Sequence, residues 1–178
     1  MKKKAQLILL MFVVPFIAMA QSDNSGQATV NIKLYPIQTI SVNPQQQDVD
    51  LIYSTKKDYQ EGVSTEMPDH LTIFSTGGFE VNMNATGDLK GNNNSSIEAA
   101  DILIEASKGS QNNLNATFSA EKLGTSATSI IQSETGGVNQ QFNIRYLAEG
   151  GDKYANLYSK DDNPTSFSTT VIYSITAK

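Results

Sequence analysis

The chain has 178 residues with no cysteine, no tryptophan and a single histidine. Without cysteine there can be no disulfide, no thiolate metal site and no lipid-bearing cysteine of the bacterial lipoprotein kind. One histidine, His70, excludes multi-histidine metal centres. A Ser-His-Asp triad would have to use His70, yet Asp69 immediately before it falls on the opposite strand face and no G-x-S-x-G elbow accompanies it. "PDHLTIF" reads instead as the beginning of a strand with His70 near the surface. The missing tryptophan removes the flat ring that exported β-proteins use to hold glycans. Tyr154 and Tyr158 in "DKYANLYSKDD" are left as the candidate ligand platform.

Basic charge is also scarce. Thirteen Lys and Arg against eighteen Asp and Glu give a net charge of −5, a poor match to a polyanion, so no nucleic-acid partner is expected. The carboxylates carry no recognisable chemistry. Asp48-x-Asp50 and Asp161-Asp162-Asn163 do not approach the D-x-D-x-D-G calcium loop and read as solvated turns. Ser54-x-x-Lys57 and Ser119-x-x-Lys122 match one element of the penicillin-recognising enzymes, and Ser22-Asp23-Asn24 another. Their order is wrong and K-T-G is missing. No catalytic, cofactor or metal-binding residue is assigned, and the chain reads as non-enzymatic.

Long apolar runs are absent except at the start, "MKKKAQLILLMFVVPFIAMAQSD". A basic stretch, an apolar run from Leu7 to Ile17 and Ala18-Met19-Ala20 make a secretory signal peptide. The run is short of the roughly 20 apolar residues that cross a bilayer, and Pro15 interrupts it. Cleavage is expected before Gln21, giving a signal peptide over 1–20, a flexible mature N-terminus over 21–27 and one domain over 28–178. Losing Lys2, Lys3 and Lys4 takes the charge from −5 to −8. The mature protein is expected in the periplasm, on the cell surface or outside the cell, with no membrane span.

What the sequence does contain, almost everywhere after residue 27, is alternation with a period of two. "ATVNIKL" sets Ala28, Val30, Ile32 and Leu34 on one face; "FEVNMNA" does the same with Phe79, Val81 and Met83. "ADILIEA", "LNATFSA", "FNIRYLA" and "FSTTVIYSITA" follow suit, and a short helical turn is expected near Ile97. Such runs mark strands with one buried face. "NPQQQD", "MPD", "KGSQNN", "EGGDK" and "KDDNPTS" read as turns between them. No segment sustains an apolar stripe for three helical turns. The pattern predicts an all-β fold, a single immunoglobulin-like or jelly-roll-like β-sandwich of mostly antiparallel strands. The glycine pairs Gly77-Gly78, Gly136-Gly137 and Gly150-Gly151 precede strands or turns, never a helix, so they read as hairpin turns and not phosphate loops.

The alternating start "ATVNIKL" and terminal "STTVIYSITAK" resemble the ends of pilin-type subunits of the spore-coat-U-like kind, which chaperone and usher assemble. The cysteine pair of those subunits is missing here. "GGFEVNMNA" is similar in texture to WxL-type wall-binding domains, whose Trp-x-Leu motifs are absent. The pilin resemblance implies strand donation: Ala28, Val30, Ile32 and Leu34 of one copy would complete the sheet of another, or pair with a periplasmic chaperone. Otherwise the same segment is the first strand of its own sandwich, the reading slightly favoured by the residues alone. Two functions follow, a structural or adhesive surface subunit and a stand-alone module binding extracellular glycan or peptide.

Overall fold

The computed structural model describes residues 25–92 and 95–178, and the chain divides into two compact units, Met1–Leu34 and Tyr35–Lys178. The signal peptide expected over 1–20 lies outside the described residues. Of the first unit, residues 25–34 are described, and they carry no strand or helix. Val30, Ile32 and Leu34 are 87%, 83% and 89% exposed. This corrects the expectation of a first sandwich strand at Ala28–Leu34, and the sandwich unit begins at Tyr35 and not at residue 28. Pro36, with fixed φ and no N–H, separates the alternating run from the strand that follows it.

Among its described residues, the second unit has twelve strands. They are β1 (Gln38–Val42), β2 (Val63–Ser75), β3 (Phe79–Ala85), β4 (Leu89–Gly91), β5 (Ser96–Ile97) and β6 (Ile102–Lys108). The rest are β7 (Thr117–Phe118), β8 (Ala120–Lys122), β9 (Thr128–Ser133), β10 (Gly137–Ala148), β11 (Phe167–Ser168) and β12 (Val171–Ala177). They build a five-stranded sheet in the order β1-β2-β10-β6-β8, a four-stranded sheet β12-β3-β9-β7 and a small sheet β11-β4-β5. Every ladder is antiparallel. The all-β sandwich expected from the alternation is what forms.

Side chains from the two large sheets meet in one core. Leu71, Ile73, Ile104, Phe142 and Ile144 come from the first, and Phe79, Val81, Ile130 and Ile131 from the second. Phe79 and Phe142 meet edge to face across it at 6.3 Å, the geometry that aromatic quadrupoles prefer. Along β3 the alternation is strict: Phe79, Val81, Met83 and Ala85 are buried while Glu80, Asn82 and Asn84 are partly exposed. β10 buries Phe142, Ile144, Tyr146 and Ala148 in the same way.

The "MPD" turn does not exist. β2 runs through Pro68 and Asp69, and the turn residues make a bulge: Leu71 faces Phe142 and Met67 faces Ile144, so the β2 side is longer by two residues. Asp69 adopts φ 51°, which a short polar side chain tolerates, and its N–H donates to Asn143 Oδ1. "LNATFSA" is also divided. Its residues split between β7 in the four-stranded sheet and β8 in the five-stranded one, with Leu114 buried and Phe118 37% exposed. The turn expected near Ile97 is a 3-10 turn at Ala99–Asp101 leading into β6. One short α-helix, α1 (Lys56–Glu61), was not foreseen. Its capping box, Thr55 with Asp58, was the available signal.

The first two glycine pairs are not hairpin turns. Gly77-Gly78 connects β2 to β3 and Gly136-Gly137 connects β9 to β10, each crossing from one sheet to the other. Because β2 neighbours β10 and β3 neighbours β9, the two corners run side by side. A Cβ on Gly136 would lie 2.1 Å from the carbonyl oxygen of Ser75, and one on Gly78 3.0 Å from that of Glu134. None of these four glycines has positive φ; what the corners require is space. Ser75 and Ser133 repeat one device, each hydroxyl donating two residues ahead to Gly77 O or Thr135 O and accepting that residue's N–H. Gly150 serves likewise. Its Cβ would meet Gly62 N at 2.5 Å, and Gly62 is itself at φ 85°.

Candidate functional site

Along one long side of the sandwich the chain passes continuously from sheet to sheet, and along the other two edge strands approach each other without forming a ladder. On the first side residues 117–122 pass from β7 to β8 and join the two sheets. On the other side lie β1, the last strand of the five-stranded sheet, and β12, the last of the four-stranded sheet, close to each other but unpaired. Each has one neighbour, β2 or β3, so its outer backbone edge makes no ladder. The core-packed side chains there, Ile40 and Val42 on β1 and Val171, Tyr173 and Ile175 on β12, are only partly buried. Their counterparts in the central strands are fully buried. The unpaired β12 edge spans seven residues, Val171–Ala177. Ala28–Leu34 is also seven residues long, with Val30, Ile32 and Leu34 at alternate positions and exposed.

His70 is not near the surface as expected; it is 2% exposed, because the bulge at Asp69 turns it inward. A chain of hydrogen bonds ties it across the sandwich. Gln46 Nε2 donates to Pro68 O, which leaves Gln46 Oε1 to accept from His70 Nδ1 at 3.0 Å. His70 Nε2 then accepts from the Tyr146 hydroxyl at 3.0 Å, and Tyr146 accepts from Tyr173 at 2.6 Å. Both ring nitrogens are spoken for and no serine hydroxyl reaches them. Asp69 instead accepts from the N–H and hydroxyl of Ser110. Burial lowers the pKa of His70 and pushes the Tyr146 hydroxyl up to about 12, and Tyr173 rises well above its usual range for the same reason. The neutral relay is the stable form.

A pH dependence follows. A histidine whose folded pKa is lowered contributes stability that is complete above its unfolded value, near 6.5, and is lost as pH falls below it. The urea midpoint should therefore drop between about pH 7 and pH 5.5, above the range in which exposed carboxylates titrate. In His70→Gln that part of the slope should vanish. An identical slope in both proteins would assign the dependence elsewhere.

A cleft of about 610 Å³ lies between the 49–54 segment, α1, the β4–β5 hairpin and the 154–167 loop. Tyr53 forms its aromatic centre, with Tyr59 and Tyr154 each 5.3 Å away. The expected pair Tyr154 and Tyr158 both line it, but they do not make a common exposed platform. Tyr154 is 8% exposed and Tyr158 59%. The Tyr154 hydroxyl donates to Asp101 Oδ2, while Lys153 Nζ pairs with Asp101 Oδ1 and with Glu149. Burial first, and then the Asp101 charge, hold the Tyr53 hydroxyl up at about 12 and raise that of Tyr154 further. Tyr53 donates to Glu149 O at 2.6 Å. Asp101, 5% exposed, was invisible as a site residue in the sequence, since its partners lie about fifty residues away.

Among the described residues no cluster of three metal-ligating side chains is present, and no helix is long and apolar enough to cross a membrane. Neither a protein-family model nor a curated protein matches the chain.

Proposed function

We propose that this is an exported bacterial surface protein, a structural or adhesive subunit of pilin type that assembles by strand donation. Ala28–Leu34 of one copy is the donor, and the unpaired edge of β12 in another copy is the acceptor. The observation that carries this reading is the exposure of Val30, Ile32 and Leu34 at 87%, 83% and 89%. Three large apolar side chains on one face of an alternating segment are costly in water, each worth about 1.5–3 kcal/mol when buried. A free sheet edge completed by an extended strand gains main-chain hydrogen bonds as well, and alternate side chains fill the pockets. A periplasmic chaperone would cover the same edge before assembly.

The mature chain, beginning at Gln21, is expected to form a series of multimers on size-exclusion chromatography. Deleting residues 21–34 should leave a folded monomer by circular dichroism, because the sandwich unit begins at Tyr35. Adding the free peptide of residues 25–35 should raise the thermal midpoint of that monomer. A mature chain that remains monomeric, with a deletion variant indifferent to the peptide, would rule strand donation out.

A further inference from the structure

Strand donation leaves the tyrosine-lined cleft unused, and we propose that this cleft binds a neutral saccharide. Its volume of about 610 Å³ falls within the roughly 300–1,000 Å³ usual for small-ligand sites. Among the described residues no Lys, Arg or His lines it, so none there would neutralise a phosphate, sulfate or carboxylate. The lining divides instead into ring surface and uncommitted polar groups.

The centre of the cleft is fixed in place. Tyr53 and Tyr154 spend their hydroxyls inside the protein, on Glu149 O and Asp101 Oδ2, and stand edge to face at 5.3 Å. Around them, Tyr59, Tyr158, Asp50 and Asn163 are among the lining residues, and their side chains make no hydrogen bond among the described residues. A pyranose ring matches that division: its C–H face packs on an aromatic ring while its hydroxyls donate to a carboxylate and both donate to and accept from an amide. A purely apolar ligand would leave Asp50 and Asn163 desolvated and unpaired, which is costly. With Tyr158 59% exposed at the rim, the cleft admits a chain end or a short oligosaccharide from solvent.

The test is saturation-transfer NMR on the full mature chain, with cellotetraose, maltotetraose and N,N′,N″-triacetylchitotriose as neutral probes and sialyllactose as an anionic one. Transfer to at least one neutral probe is expected, with a dissociation constant in the millimolar range, roughly 4 kcal/mol of binding. Tyr158→Ala and Asn163→Ala should each weaken it about tenfold or more, roughly 1.4 kcal/mol, with circular dichroism unchanged. Absence of transfer to all three neutral probes would overturn the proposal. So would binding that neither substitution affects, or a preference for sialyllactose. The assay does not depend on assembly, so its failure leaves strand donation standing, and the reverse also holds.

Discussion

Gly136→Ala is expected to destabilise the sandwich by about 3 kcal/mol or more, at the upper end of what overpacking costs, while Gly77→Ala on the facing corner is expected to stay within about 0.5 kcal/mol. The new methyl at residue 136 would stand 2.1 Å from Ser75 O, 2.8 Å from Ser75 C and 2.7 Å from Gly77 N. All three are backbone atoms, so no rotamer change can relieve the overlap. The corners themselves must separate, and with them the ladders that join β2 to β10 and β3 to β9. At Gly77 an added Cβ meets nothing within 4 Å, and φ is not in the left-handed region. Urea unfolding of both variants decides the matter. Equal midpoints would mean that the corners are loose enough to part.

The second large effect tests the register of β3. Val81 is fully buried and lies opposite Ile175 of β12 and Ile131 of β9. Val81→Asp would place a carboxylate among these side chains with nothing to pair it. The substitution should cost about 4 kcal/mol or more, a large part of the roughly 5–15 kcal/mol that holds a domain together. Asn82 points the other way, opposite Ser174 and Ser129, and Asn82→Asp should cost about 0.5 kcal/mol or less. Thermal melts of the two variants would separate them widely. Similar losses would place the strand one residue out of register, since a single slip exchanges its faces.

How much of this was legible in the sequence depends on whether the signal was local. β3, β6 and β10 announced themselves, because alternation survives wherever one face of a strand is buried and the other is wet. β2 was hidden in part by Pro68 and Asp69, whose turn chemistry went into a bulge that the sequence shows only as a break. The first two glycine pairs were read as hairpin turns and are instead corners between the sheets. Composition reveals a glycine but not whether it is there for its φ or for the backbone it must pass, and the partner of Gly136 lies some sixty residues earlier. Ala28–Leu34 has a clear strand pattern and forms no strand, because a pattern says which face a strand would bury and not whether a partner strand is at hand. Nothing local marked His70 as buried. Its inward turn depends on the bulge before it and on Gln46, Tyr146 and Tyr173. The cleft was least legible, being assembled from four separate stretches between residues 49 and 167.

The crossing corners also set the order in which the protein can come together. No ladder in the four-stranded sheet joins strands that follow one another along the chain: β3 waits for β9, and then for β12, which begins at Val171. Pairings between such distant segments close slowly, because the entropy of the intervening loop is lost before any contact offsets it. Under the export proposed above, the chain would therefore carry an unfinished sheet until almost all of it had passed the channel. The same long-range wiring that delays folding would keep the polypeptide thin enough to be translocated, and would expose β3 for long enough to make an attendant binding protein on the far side useful.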